Sequence, residues 1–199
     1  VVATFNAHKL QELREILPDH RLFSPHDCGL KDLEIEETGR SYHENALIKA
    51  KTVFDLVHLP TLADDSGLSV VALDGAPGIY SARYGAIEGQ KLSAGKRNEL
   101  LLSAMKDVSD RRCAFYCCLV LVYGEDRFLS VQETCPGILL AQPRGQGGFG
   151  YDPVVYLPDL GLSVAELSAE QKNSVSHRGK AGRKMNLALK ALSDSLVHF

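Results

Sequence analysis

The sequence predicts an α/β domain built on a mixed β-sheet, and three observations lead there. Residues 113–123 form an almost wholly apolar run. A strand apolar on both faces belongs in the middle of a sheet that is covered on both sides. The run ends at Gly124-Glu125-Asp126, and residues 127–133 read as its returning hairpin partner. On either side of that antiparallel pair, short apolar segments alternate with helical periodicities, the pattern of strands covered by helices.

Taken in order, Val1-Val2-Ala3 reads as the end of a buried strand. A polar turn follows (Thr4, Asn6, Lys9), then Leu10, Leu13, Ile16 and Leu17 at helical spacing. Strand, polar turn and helix together aim free backbone N–H groups at an anion, and Lys9 adds a full positive charge. The same residues also make an ordinary helix cap by Asn6. Residues 18–33 have turn composition. Residues 42–57 predict a helix with Ala46, Ala50, Val53, Phe54 and Val57 on one face.

Ala63-Asp64-Asp65-Ser66-Gly67 is the central motif, at the end of a short apolar stretch. Its composition suits a turn. On a strand, however, adjacent side chains point to opposite faces, so the two aspartates would have different roles. Residues 68–73 read as a strand, 79–84 as a short element, 85–95 as a loop and 98–105 as part of a helix. Residues 137–140 continue the sheet. Gly145-Gln146-Gly147-Gly148-Phe149-Gly150-Tyr151-Asp152-Pro153 has four glycines within six residues, which allows close backbone approach to a ligand. Phe149 and Tyr151 offer flat faces to a base, and Asp152 offers an acceptor. Ser163-Val164-Ala165-Glu166 is a capping box that should open a helix. Lys172, His177 and Arg178 gather cations before a final helix through Ala181, Met185, Leu189, Leu192 and Leu196.

Composition narrows the function. The 199 residues, 45% hydrophobic and 24% charged, suffice for one domain over 1–199 with a proper core. A net charge of only -3 argues against nucleic-acid binding through a broad basic surface. It leaves room for a small polyanion held by a few local cations and a metal. Five cysteines without a Cys-x-x-Cys pair fit a reduced, cytoplasmic setting. No apolar run approaches a membrane span and no signal-peptide pattern opens the chain, so no membrane partner is expected.

Four polar groups remain: a phosphate turn with a lysine, carboxylates at Glu36, Glu37, Asp64 and Asp65, an aromatic glycine loop, and a Lys/His/Arg cluster. A nucleoside triphosphate would use all four. Its phosphates need N–H groups and Lys9, its base a stacking face and donors, and carboxylates suit Mg²⁺. Zinc spacing, a Walker loop and Gly-x-Ser-x-Gly are absent from the sequence.

These residues resemble the inosine triphosphate pyrophosphatases, which clear ITP, dITP and XTP. The likeness runs through Thr4-x-Asn6-x-x-Lys9, Glu37-Thr38-Gly39 leading to Glu44-Asn45-Ala46, and Ala63-Asp64-Asp65-Ser66-Gly67-Leu68. It continues through Gly75-Ala76-Pro77-Gly78-Ile79-Tyr80-Ser81-Ala82-Arg83-Tyr84, the 147–153 loop and Ser176-His177-Arg178-Gly179. Phe5 departs, standing where the family more often has a small or polar residue. The resemblance implies a long mixed sheet flanked by helices, two lobes with a nucleotide cleft between them, and a homodimer. It implies hydrolysis of purine nucleoside triphosphates to the monophosphate and pyrophosphate. Asp65 takes the catalytic acid/base position, and Glu37 and Asp65 the Mg²⁺ ligand positions. Thr4, Asn6 and Lys9 meet phosphates; Ser66, Phe149, Gly150, Tyr151, Asp152, Lys172, His177 and Arg178 surround the nucleotide. A 6-oxo purine could be met by Lys172 or Arg178, where adenine offers only an amino donor. Two other readings share these residues: a pyrophosphatase for other modified nucleotides, like the septum-associated family, and a silent nucleotide-binding regulator.

Overall fold

The computed structural model describes residues 1–31, 33–86 and 90–196. One sheet holds five strands in chain order: β1 (Thr61–Val70), β2 (Arg112–Gly124), β3 (Arg127–Leu139), β4 (Val155–Leu157) and β5 (Leu162–Ser163). The helices are α1 (Ala7–Ile16), α2 (Tyr42–Val57), α3 (Ala94–Ala104), α4 (Ala169–Val175) and α5 (His177–Leu196). β2 lies between β1 and β3, the place its two apolar faces require. β3, β4 and β5 pair antiparallel, with Ile138 opposite Tyr156 and Leu157 opposite Leu162. A parallel bridge joins Val2 to Leu62. The expected N-terminal strand shrinks to that bridge, because the chain turns into α1 at once.

Local signals explain most helix starts. The Asn6 side chain accepts from the backbone N–H of His8 and Lys9 at 3.0 and 3.3 Å, capping α1. Ser41 does the same for α2 through Glu44 N–H at 3.1 Å. α2 stops at His58, whose positive φ of 52° closes the helix.

Of the two readings open for Asp64, Asp65, Ser66 and Gly67, the strand holds: they lie inside β1. Two expectations change. The separate strand expected over 68–73 is the end of β1 followed by a 3-10 turn, Val71–Leu73. The Ser163/Glu166 capping box forms but opens only a single 3-10 turn, Val164–Glu166. The helix starts after Ser168, which forms a second capping box with Gln171. Of the expected 85–95 loop, residues 87–89 lie outside the described residues, as does Asp32 from the 18–33 stretch.

The chain divides into two compact units, and the division falls within β1, β2 and β3. The first holds residues 1–65, 117–133 and 177 onward. Here the period-2 alternation of β1 and β2 sorts side chains into two layers. Leu62, Cys117, Leu119 and Leu121 pack with Leu13 and Ile16 of α1 and Ala181 and Met185 of α5. Ala63, Cys118, Val120 and Val122 pack with Ala46, Ala50 and Val53 of α2. The second unit holds residues 66–116 and 134–176. Its core joins Leu68, Val70, Phe115, Leu139, Tyr151 and Val155 to Leu101 of α3. Truncating a residue such as Leu13 to alanine in cores of this kind costs about 2–5 kcal/mol.

Candidate active site

The alternation that sorts the core also sorts the aspartates. Asp64 follows Leu62 onto the α1/α5 face of β1, and Asp65 follows Ala63 onto the α2 face. Asp64 is only 1% exposed. Arg178 donates to it from Nε at 2.7 Å and Nη2 at 3.4 Å, and the Lys9 ammonium lies 2.6 Å from its Oδ1. The Cys117 thiol adds a contact at 3.3 Å to Oδ2. Arg178 also donates from Nη1 to Glu12 Oε2 at 2.7 Å. Burial alone would raise the Asp64 pKa, but Arg178 and Lys9 outweigh it and hold the carboxyl well below its usual range. Asp64 is therefore an anion paired on all sides.

Asp65 is also buried, at 6% exposure. Its Oδ1 accepts from Lys49 Nζ at 2.7 Å, while its buried Oδ2 has no hydrogen-bond partner. The same ammonium donates to Glu37 Oε1 and to the Asp64 backbone carbonyl, each at 2.9 Å. Burial is the larger influence on Asp65 and raises its pKa against the opposing pull of Lys49. Lys49 shifts the other way: burial would lower it, but the carboxylates of Asp65 and Glu37 prevail and raise it.

The Glu37 segment is held by its own motif. Gly39 N–H donates to Asn45 Oδ1 at 2.8 Å, and Arg40 N–H to Glu44 Oε2 at 2.6 Å. A Cβ on Gly39 would stand 2.7 Å from that Asn45 oxygen, so glycine is required for the approach. Glu37 and Asp65 consequently present carboxylate oxygens around one cation position, at present the Lys49 ammonium. That arrangement, with the orphaned Asp65 Oδ2 beside it, fits a hard divalent cation. No cluster of three or more His, Cys, Asp or Glu that could hold a metal occurs among the described residues. A cation with few protein ligands and several from water or substrate, the habit of Mg²⁺, suits this set.

At the expected phosphate turn, Thr4 Oγ1 accepts from Asn6 N–H at 3.2 Å, and the Asn6 side-chain Oδ1 caps α1. Lys9 projects from the first turn of α1 to Asp64. Ser66 follows Asp65 in β1, half-buried. His177 is the buried first residue of α5, next to Arg178.

In the second unit, Asp152 Oδ2 accepts from Lys172 Nζ at 2.6 Å and from Phe149 N–H at 2.8 Å. Lys172 Nζ also lies 4.7 Å from the Phe149 ring centroid, a cation–π contact. Gly148 has φ of +68°, and a Cβ there would collide with the Asp152 carboxylate. Gly150 carbonyl accepts from Asn98 Nδ2 of α3 at 3.1 Å. Tyr151 belongs to the core, its hydroxyl donating to the Ser81 carbonyl at 3.0 Å, so Phe149 rather than Tyr151 offers a ring face in this loop. Lys172 and Arg178, one cationic cluster in the sequence, serve different carboxylates: Asp152 for one, Asp64 and Glu12 for the other.

Lys49 and Glu12 stand outside the site set expected from the sequence. Lys49 lies three residues after Ala46 and four before Val53, a charge within the apolar stripe of α2. Glu12 stands three residues after Lys9 on the same helix face. A charged side chain in a buried stripe needs a partner, and that was the available signal.

The Ham1 family profile matches residues 1–188. The chain is 51% identical over 180 residues to the dITP/XTP pyrophosphatase of Treponema denticola, covering 90% of this chain and 92% of that protein. It superposes on a HAM1 protein from Coxiella burnetii with a TM-score of 0.86 and 37% identity, covering 96% of this chain and 97% of that one. A nucleoside-triphosphatase / dITP/XTP pyrophosphatase from Mycobacterium abscessus matches with a TM-score of 0.72 and 38% identity, covering 96% of each chain.

Proposed function

The chain belongs to the Ham1 family, and from that membership we propose that it hydrolyses dITP, XTP and ITP to the nucleoside monophosphate and pyrophosphate. The single observation that carries the chemistry is Asp65: a buried carboxylate with one oxygen tied to Lys49 and the other unpartnered. An acceptor so placed suits the orientation and deprotonation of an attacking water. Glu37 and Asp65 would hold Mg²⁺, which when bound supplies charge neutralisation at the phosphates and a more acidic water.

The chain's own cations and N–H groups do the rest of the positioning. Lys9 and the α1 turn with Thr4 and Asn6 are assigned to the phosphates. Arg178 contributes to binding by holding Asp64, and through it Lys9. Phe149 offers the base a face, and Lys172 offers the 6-oxo oxygen a donor. An adenine amino group would set donor against donor there, which is costly in a buried site. Ser66, Gly150, Tyr151, Asp152 and His177 complete the proposed substrate set. A homodimer in the cytoplasm belongs to the same reading.

Pyrophosphate release measured across dITP, XTP, ITP, dATP and dGTP tests it. Selective release from dITP, ITP and XTP, the 6-oxo substrates lacking a 2-amino group, is expected. Equal rates on all five, or no pyrophosphate from any, would overturn the assignment.

A further inference from the structure

The Lys49 ammonium occupies an unusual position. A lysine has three N–H donors and no acceptor. Here the ammonium donates to three oxygens: Glu37 Oε1 at 2.9 Å, Asp65 Oδ1 at 2.7 Å and the Asp64 carbonyl at 2.9 Å. Two carboxylates and a carbonyl are the hard oxygen donors that a divalent cation also takes. The side chain is only 12% exposed, so solvent screens these contacts little.

We propose that Lys49 is the resident counter-ion of the Glu37/Asp65 pair and competes with the divalent cation for it, thereby setting the cation's affinity. The inference rests on the assignment of Glu37 and Asp65 as ligands made above. A cation such as Mg²⁺ binds oxygen at about 2.0–2.1 Å. Placed on oxygens that Nζ already contacts, it would stand close to a like charge. Either the ammonium withdraws and loses its partners, or it stays and repels the metal. Both costs lower the affinity for metal, and both disappear when the charge at residue 49 is removed.

Lys49 also keeps the buried Asp65 carboxylate and the half-buried Glu37 carboxylate from repelling each other when no metal is bound. Removing it should therefore lower stability without metal and enlarge the rescue by metal. A residue serving only to organise the ligands would behave in the opposite way, and its loss would weaken binding.

Mn²⁺, standing in for Mg²⁺, allows the test without turnover. Its binding to the full chain, free of nucleotide, is followed by the electron paramagnetic resonance signal of the free ion and by the thermal unfolding midpoint. Lys49→Met should bind Mn²⁺ at least about tenfold more tightly than wild type, equivalent to about 1.4 kcal/mol. Its midpoint should start lower and rise further with Mn²⁺. Lys49→Gln, which keeps polar donors but no charge, should show the same tightening and guards against a poorly folded methionine variant. Glu37→Gln and Asp65→Asn should abolish binding in either background. If these two leave Mn²⁺ binding intact, or wild type and both Lys49 variants bind none, the ligand assignment falls and the competition with it. If they abolish binding while Lys49→Met and Lys49→Gln bind equally or more weakly than wild type, the ligands stand and the competition is overturned.

Discussion

Asp64 and Asp65 are neighbours in one strand, both buried, yet their surroundings differ in kind. On the α1/α5 face, Asp64 meets Arg178, Lys9 and Cys117, and its charge is compensated from several directions. On the α2 face, Asp65 accepts from Lys49 at one oxygen and keeps the other without a hydrogen-bond partner. A buried carboxylate saturated by donors is an anchor, because any change of charge there is expensive. A buried carboxylate with a vacant lone pair is a candidate for chemistry, because it retains the capacity to accept. Burial alone does not mark a carboxylate as a candidate for chemistry; unused hydrogen-bonding capacity does.

The largest expected effect is on turnover. Asp65→Asn keeps the shape and removes the charge, and should lower kcat by about 10²–10⁴-fold with the fold intact. Pyrophosphate release together with circular dichroism checks this. Residual activity above about a tenth of wild type would remove Asp65 from the acid/base role.

Next comes stability on the other face. Asp64→Asn leaves Arg178 buried without its Asp64 carboxylate, and should cost about 3–5 kcal/mol in urea unfolding. Asp65→Asn should cost far less by the same measurement. Equal losses would erase the distinction between anchor and acceptor.

A third experiment separates cations that face the substrate from those that serve the anchor. Lys172→Met should narrow the ratio of kcat/KM for dITP over dATP by about one to two powers of ten, since a charged hydrogen bond is worth about 1.5–3 kcal/mol. Arg178→Ala should lower both values together and leave the ratio where it was, because its guanidinium is engaged by Asp64 and Glu12. A ratio that moves with Arg178 instead would place that residue at the base.

The smallest effect is expected at an exposed pair, Asp110 with Arg112, joined at 2.6 Å. Hydrogen bonds from Arg112 lower the Asp110 pKa to about 2. A depressed folded-state pKa gives stability that is present above the unfolded value of about 3.9 and is lost as pH falls through the folded one. Asp110→Asn should thus differ slightly from wild type at neutral pH, and the difference should vanish as the pH falls through about 2. Thermal midpoints at pH 7, 4 and 2 check it. A loss as large as that of Asp64→Asn would mean that burial is not what makes the Asp64 network matter.

What the sequence determined by itself was local or periodic. The Asn6 cap, the α2 stripe and the two-faced apolar run of β2 depend on interactions within a few residues, so they survive intact in the fold. The prediction that adjacent aspartates diverge followed from strand geometry alone. Where two local signals competed, the sequence could not arbitrate. Asp-Asp-Ser-Gly suits a turn, yet it runs inside β1, because pairing within the sheet outweighs turn preference. The Ser163/Glu166 box is real but closes after one turn, because a cap starts a helix without supplying residues to continue it. Only the tertiary structure decided which charges meet. Arg178 reaches Asp64 across 114 residues of sequence, and Lys49 reaches Asp65 across 16. Those pairings follow from which helices cover which face of β1. No periodicity records that choice, since it is made by burying apolar layers that the charges merely accompany.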